Sequence, residues 1–223
     1  MRFLVISDVH ARAAALESVL KHAAGQGWDE AVFLGDAVGY GEDAAQVIGI
    51  LRGLPLRAAI RGNHEDMLFE LRETGAVRAT GDVVRSLERN LEQLSESDLE
   101  FLAALPESHR DDGWTAVHGA PRNPAEYLIS VPAVRANGRY MLERVCFNGH
   151  THVPAAYLEA APERWKVRPF RGSAGSVDVP AGTRAFLNPG SVSLPRDGLP
   201  SGSYGIFDEE QGRFSMHRID TLP

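Results

Sequence analysis

Cys146-Phe147-Asn148-Gly149-His150-Thr151-His152 is the stretch from which this chain can be read. Val145 to Phe147 is apolar; Gly149 follows, and then come two histidines one residue apart. In a straight strand, side chains two apart share a face. Just past a strand, on a turn that a glycine permits, the two rings can splay and serve two different metal ions. Imidazole is the commonest metal ligand, and it binds in its neutral form. Taken alone, a His-x-His stretch reads more simply as a polar loop with solvated rings. Here the pattern recurs four times earlier in the chain.

Phe3-Leu4-Val5-Ile6 leads to Asp8 and His10, and Ala31-Val32-Phe33-Leu34 to Gly35-Asp36. Ala58-Ala59-Ile60 leads to Gly62-Asn63-His64-Glu65, and Thr115-Ala116-Val117 to His118-Gly119. Short, wholly apolar runs of this kind are expected of strands buried on both faces. In open α/β sheets, ligands bind in the crevice outside the carboxyl ends of the strands. The expectation is therefore one sheet whose edge gathers Asp8, His10, Asp36, Asn63, His64, His118, His150 and His152.

The length of 223 residues, without an obvious linker, sets one α/β domain over 1–223 as the expectation. A formal charge of −7 argues against a protein that coats nucleic acid, which usually presents a basic face. It is compatible with a cationic cofactor, since Asp8 and Asp36 would be neutralised on binding metal. Cys146 is the single cysteine, so no internal disulfide is available, and it reads as a core residue. The four apolar residues before Ser7-Asp8 are too few for a signal peptide, and no run approaches the ~20 apolar residues of a membrane span. A soluble, cytoplasmic protein is expected, with no membrane contact; its oligomeric state is open.

Strands are predicted at Arg2–Ile6, Ala31–Leu34 and Pro55–Ile60, with helices at Ala11–Ala24 and Asp43–Leu51 between them, which implies a parallel sheet. Helices are predicted at Glu65–Leu71, Asp82–Leu94 and Ser97–Leu105, with Asn63 as an N-cap and Ser95 and Asp98 resembling a capping box. This helical segment interrupts the βαβ rhythm between two ligand-bearing strands, so it could wall the active-site cleft. Trp114–Val117 resumes the sheet, and Val131–Leu142 reads as a helix. After His152 come short strands at Ala155–Leu158, Trp165–Phe170, Arg184–Leu187, Ser203–Phe207 and Arg213–Arg218. They imply a second, mostly antiparallel sheet packed on the first, with a hairpin loop over Gly172–Gly182.

Asp8-Val-His10, Gly35-Asp36, Gly62-Asn63-His64-Glu65, Val117-His118-Gly119 and Gly149-His150-Thr151-His152 resemble, in order and spacing, the five blocks of the calcineurin-like metallophosphoesterase superfamily. With Asn188-Pro189-Gly190-Ser191-Val192 and Pro195-Arg196-Asp197-Gly198 in the tail, the chain looks like the small bacterial and archaeal phosphodiesterase-like branch. The resemblance implies a four-layer sandwich, two packed mixed β-sheets flanked by α-helices. It implies two metal sites, Asp8, His10, Asp36 and His152 for one ion and Asp36, Asn63, His118 and His150 for the other, with Asp36 bridging. Mixed nitrogen and oxygen ligation suits first-row divalent ions, manganese foremost, with iron, cobalt, nickel or zinc as alternatives. A hydroxide bridging the metals would attack phosphorus in line, with Asp36 and Asn63 holding the ions and His64 as general acid.

The serine/threonine protein phosphatases of the superfamily continue their Gly-Asp block with Val-Asp-Arg-Gly, whose arginine clamps phosphate. This chain reads Gly35-Asp36-Ala37-Val38-Gly39-Tyr40-Gly41. Another cation must then meet the phosphate, and Arg12, Arg61, Arg122 and Arg196 are the candidates. Many small relatives also carry Gly-Asn after the first Asp-x-His, where this chain has Ala11-Arg12. The expected activity is hydrolysis of phosphodiesters or small phosphomonoesters, with nucleotides leading by resemblance. The alternatives are a protein phosphatase, a catalytically weak scaffold such as the retromer subunit that keeps this fold and binds proteins, and a metal-storing or metal-sensing protein. A retired site would lose His64 or several ligands, and all eight groups are present.

Overall fold

The computed structural model describes residues 1–220; the last three residues of the domain expected over 1–223 lie outside the described residues. β1 (Arg2–Ile6), α1 (Ala13–Ala24), β2 (Glu30–Phe33), α2 (Ala44–Gly53) and β3 (Leu56–Ala59) open the chain, with β1, β2 and β3 parallel. α3 (Asn63–Thr74), α4 (Gly81–Gln93) and α5 (Glu96–Ala103) follow. Then come β4 (Ser108–Asp111), β5 (Trp114–Val117), α6 (Val131–Gly138) and β6 (Val145–Asn148). The rest is β7 (Ala155–Ala161), β8 (Arg164–Pro169), β9 (Ala174–Asp178), β10 (Ala185–Asn188), β11 (Gly202–Asp208) and β12 (Arg213–Ile219).

The strands form two six-stranded mixed sheets, ordered β3-β2-β1-β11-β12-β9 and β4-β5-β6-β10-β7-β8. This corrects the expectation that one sheet carries all the site residues. β1 to β3 belong to the first sheet, whereas β5 and β6, the strands before His118 and His150, belong to the second. Nor do the strands after His152 form a sheet of their own. β10 lies parallel to β6, while β11 lies antiparallel to β1, so the last third of the chain completes both sheets. Every residue of β5, β6 and β10 is buried, because each sheet is covered by helices on one side and by the other sheet on the second. An apolar run of four residues looks the same in either sheet.

Alternation along the strands sorts the side chains into layers. Leu4 and Ile6 of β1 face a core shared with Leu16 and Val19 of α1 and Val47, Ile48 and Leu51 of α2. Phe3 and Val5 point the other way, into the core between the sheets, where they meet Trp114, Phe147, Phe207 and Phe214. Cys146 and Phe186 lie on the outer face of the second sheet with Val134 of α6. The result is the expected helix–sheet–sheet–helix sandwich. Aromatic rings bridge its middle: Phe3 to Trp114 at 5.4 Å, Trp114 to Phe147 at 5.3 Å and Phe147 to Phe207 at 5.4 Å between centroids.

Local differences have local causes. α1 starts at Ala13, not Ala11, because Ala11 has a left-handed backbone (φ 49°). α6 stops at Gly138, four residues short of the expected end, and Asn137 beside it is buried, accepting from Arg122 N and donating to Ala133 O. β4 and β9 were not expected; Ser-His-Arg-Asp and Ala-Gly-Ser-Val-Asp are polar or small, and both strands sit at sheet edges, where little burial is required. Ser95 and Asp98 do form a capping box at α5. Cys146 is fully buried, and burial pushes its thiol pKa up to about 12, so it serves packing. Among the described residues no helix is long and apolar enough to cross a membrane.

Phe147 ties the aromatic chain of the middle core together. Phe147→Ala is expected to cost about 3–5 kcal/mol of stability through lost burial and the cavity left behind. Urea denaturation of the variant, read against the parent, measures this.

Candidate metal centre

The site is built where strands end and the backbone turns abruptly. Asp8, His10, Ala11, Asp36, Tyr40, His150 and His152 all have positive φ, between 49° and 64°. Non-glycine residues seldom adopt this region, and asparagine, aspartate and histidine tolerate it best. Such backbone conformations persist only where surrounding structure over-determines them, and they concentrate at functional sites. Here interlocking backbone hydrogen bonds hold them: Asp8 N to Gly35 O, Val9 N and His10 N to Asp36 O, and Ala11 N to Ala37 O. Gly149 itself is needed for close approach rather than for its turn. A Cβ there would collide with Ser7 Oγ, behind Asp8.

Two groups of ligand atoms converge. Asp8, His10, Asp36 and His152 form one, and Asp36, His118 and His150 form the other, each with its atoms within 4.8 Å of one another. The two histidines of the His-x-His stretch are thus divided between the groups. Asp36 belongs to both: its Oδ2 lies 3.7 Å from His10 Nε2 and 3.3 Å from His118 Nε2. Asn63 Oδ1 is 3.1 Å from His118 Nε2, which brings it to the second group. Each group draws on both sheets.

Hydrogen bonds fix what each ring presents. His10 donates from Nδ1 to Val38 O at 3.0 Å, His118 to Leu34 O at 2.7 Å and His152 to Leu194 O at 2.5 Å. A carbonyl can only accept, so each Nδ1 carries the hydrogen. In the neutral rings the Nε2 lone pairs then face inward. His10 Nε2 and His152 Nε2 are 3.2 Å apart, and Asp8 Oδ1, 3.2 Å from His152 Nε2, has no hydrogen-bond partner. Lone pairs set this close are stabilised only by a proton or a cation between them. Backbone carbonyls behind ligand histidines are the usual support that orients rings toward a metal. The donor set therefore fits divalent cations, and it could hold two.

The electrostatics agree. Burial opposes charge on Asp8, yet His152 and His118 outweigh it and hold the carboxyl at about 2. Burial likewise opposes charge on Asp36, and His118, His64 and His10 nonetheless hold it well below the carboxylate range. Burial drives His10 down to about 3, and burial with His118 drives His150 down to about 4. His118 is the exception: burial disfavours its charge, but Asp36 lifts it to about 10. The proton held between Asp36 and His118 is the charge that a cation would displace.

Glu65 does more than charge the first turn of a helix. It is fully buried, and its Oε1 accepts from Ala37 N (2.7 Å) and Val38 N (3.3 Å), while Oε2 accepts from Asp36 N (2.9 Å) and Gly62 N (2.8 Å). Gly62, not Asn63, is the N-cap of α3. Burial, and then the neighbouring Asp36, raise the Glu65 pKa to about 7. The carboxylate holds the backbone on both sides of Asp36 and Asn63 in register. From α4, Asn90 and Ser86 do the same for the next turn, accepting from Gly39 N and Tyr40 N. Nothing in the sequence distinguished Ser86 and Asn90 from other polar helix residues.

A cavity of about 210 Å³ opens over these groups. Its buried floor includes Asp36, His64, His150 and His152, and Met67, Thr80 and Val83 bring α3 and α4 to its wall as expected. His64 is 5% exposed, so it is no solvated helix residue. Its ring packs edge-on to His10 (4.7 Å) and against Tyr40 (5.0 Å), Nδ1 has no hydrogen-bond partner, and burial lowers its pKa. Tyr127, unmarked by any sequence signal, stacks on His150 at 4.0 Å while 44% exposed. A cavity of about 370 Å³ beside Val153 and Asp197 contains none of the ligand groups.

The four candidate arginines part company. Arg61 is paired with Asp66 and Glu107, and Arg122 with Glu126. Arg12 precedes α1 and is not among the residues lining the cavity. Arg196 does line it, reaching Tyr40 Oη at 3.4 Å, and so does Arg78, which the sequence reading passed over.

Comparison with known proteins places this geometry. The sequence family described as the calcineurin-like phosphoesterase superfamily domain matches residues 1–212. The crystal structure of a metallophosphoesterase from Sphaerobacter thermophilus is 34% identical, with a TM-score of 0.85 over 98% of this chain and 88% of that one. An uncharacterized protein of Methanocaldococcus jannaschii is 26% identical over 220 residues, 97% of this chain and 86% of its own length. A hypothetical protein from Pyrococcus horikoshii shares the fold at 15% identity, with a TM-score of 0.77 over 98% of this chain and 88% of that one.

Glu65→Gln tests the role of the buried carboxylate at constant shape. Each Glu65 oxygen faces two N–H donors, so an amide NH₂ must oppose one pair. A loss of about 1–3 kcal/mol in urea denaturation is expected, the cost of buried groups left unpaired. Weaker manganese binding should accompany it in titration calorimetry.

Proposed function

We propose that this chain, which belongs to the calcineurin-like phosphoesterase superfamily, hydrolyses phosphodiesters or small phosphomonoesters with the help of two divalent transition-metal ions. Asp8, His10, Asp36 and His152 would hold one ion, and Asp36, Asn63, His118 and His150 the other. The observation that carries this reading is Asp36 Oδ2, which faces both groups of ligand atoms at once. Carboxylate, amide oxygen and imidazole together suit manganese, with iron, cobalt, nickel and zinc as alternatives. When bound, such a pair supplies positive charge to the phosphate oxygens and a nucleophile at neutral pH.

The chain's own residues do the rest. Backbone carbonyls of Val38, Leu34 and Leu194 fix the imidazole tautomers, and Glu65 fixes the turns on which Asp36 and Asn63 stand. His64 lines the cavity next to the ligands, where it would donate a proton to the leaving oxygen. A phosphate dianion nearby offsets the burial that lowers its pKa. Tyr40 lies along the stretch that carries the phosphate-clamping arginine in protein phosphatases, which favours small esters over phosphoproteins as substrates.

Asp36→Asn should weaken binding of both ions in titration calorimetry, because the shared charge is lost. Hydrolysis of bis-p-nitrophenyl phosphate, p-nitrophenyl phosphate and cyclic nucleotides should depend on added metal and stop with chelator. A protein with no affinity for manganese, cobalt, nickel or zinc, and no turnover, would be the scaffold instead.

His64→Ala should keep both metals and the fold. It is expected to lose about 10²–10⁴-fold in rate on an alkyl or nucleoside ester, and far less on p-nitrophenyl esters, whose leaving group departs as a stable anion. Equal losses on both would make His64 a phosphate-binding residue.

A further inference from the structure

Two arginines stand at the mouth of the cavity without a carboxylate. Most exposed arginines here are engaged: Arg57 with Asp111, Arg72 with Glu96, Arg85 with Asp82, Arg110 with Glu143. Arg78, on the connection between α3 and α4, has neither an ion pair nor a hydrogen bond among the described residues, and it is exposed. Arg196, between β10 and β11, is exposed too, and among the described residues its one side-chain partner is the neutral Tyr40 hydroxyl at 3.4 Å. Its neighbour Asp197 is taken by Arg218. Thr80, next to Arg78 on the same rim, makes no capping hydrogen bond with its side chain. The only carboxylate among the lining residues is Asp36, which belongs to the floor.

Charge arithmetic says what this rim is for. On the reading proposed above, Asp8 and Asp36 offset half the charge of two divalent ions. A metal-held hydroxide takes up one charge more, and the single positive charge that remains matches that of a diester. A reacting diester would therefore be balanced by the floor alone. Two further guanidinium groups, left unpaired in a chain of net charge −7, are in surplus for a simple diester. Guanidinium is also the side chain whose fork of donors matches phosphate oxygens.

We propose that Arg78 and Arg196 form a second anion subsite, which selects phosphoesters that carry another phosphoryl group beside the reacting one. This rests on the metal-dependent reading of the floor. The two residues line the one cavity from different connections, so a ligand with one phosphoryl on the floor would carry its second toward the rim on which they stand. With 210 Å³ beneath the rim, the cavity is smaller than the ~300–1,000 Å³ typical of sites that enclose a whole ligand. The remainder of such a substrate would lie outside, over the exposed face of Tyr127.

The test is calorimetric binding of methylenebisphosphonate and of methylphosphonate, neither of which is turned over, to protein saturated with manganese held in excess. The parent should prefer the bisphosphonate by at least about tenfold, one charge-assisted contact's worth. Arg78→Ala and Arg196→Ala should each cut that preference, and the double variant should bring the two ligands to equal affinity. In Arg78→Ala, affinity for methylphosphonate and turnover of bis-p-nitrophenyl phosphate should stay at the parent level. An equal loss for both ligands would overturn the proposal by placing the arginines on the reacting phosphoryl. Unchanged preference in the double variant would overturn it as well. Binding of neither ligand by the parent would overturn the metal-dependent reading with it. Arg78 has no hydrogen-bond or ion-pair partner among the described residues to lose, so its replacement should leave the fold intact.

Discussion

Everything at this site depends on buried electron pairs that face one another. His118 meets Asp36 with a proton between them, but the rings of His10 and His152 each use Nδ1–H on a backbone carbonyl and turn the other nitrogen toward buried carboxylate oxygens. Left to themselves, such groups repel, and an apolar interior makes the repulsion stronger. They stay together because the backbone gives them nowhere else to go. The seven left-handed residues around them are locked by cross-loop hydrogen bonds, and Glu65, Ser86 and Asn90 lock the loops from behind. A site strained in this way is one that a cation relieves.

The sandwich supplies the rigidity on which that strain stands. Three apolar layers, helix against sheet, sheet against sheet and sheet against helix, surround strands whose ends carry the polar groups. No ligand residue has to contribute to the core. Packing and chemistry thus occupy different parts of each strand: the run itself is apolar, and the two to four residues after it are not. This division allows the loops to hold unfavourable conformations without unfolding the scaffold, since strain of about 1–3 kcal/mol per residue is set against a large buried core.

That same division explains what could be read in the sequence. Asp8, His10, Asp36, Asn63, His64, His118, His150 and His152 stand out because they follow apolar runs directly, and the structure does bring all of them to one place. Which sheet each run joins was not legible. β1 and β5 are equally apolar because both sheets are buried on both faces, and pairing such as β10 with β6 or β11 with β1 is decided by contacts remote in sequence. Edge strands such as β4 and β9 bury little and so left no pattern. Arginines were the least legible. Arg61 and Arg122 adjoin site motifs yet point to Asp66, Glu107 and Glu126, whereas Arg78 lies between α3 and α4, in a connection of mostly small residues, and reaches the cavity.

Each ligand group also joins residues far apart along the chain. Asp8 meets His150 and His152 across 142 residues or more, and the ring of His152 is held by the carbonyl of Leu194, later still. During synthesis the first sheet's ligands emerge early, but no partial chain that stops before these residues can assemble either group. On the reading proposed above, an ion held here would tie the loops after β1 and β2 to the loop after β6, across the two sheets.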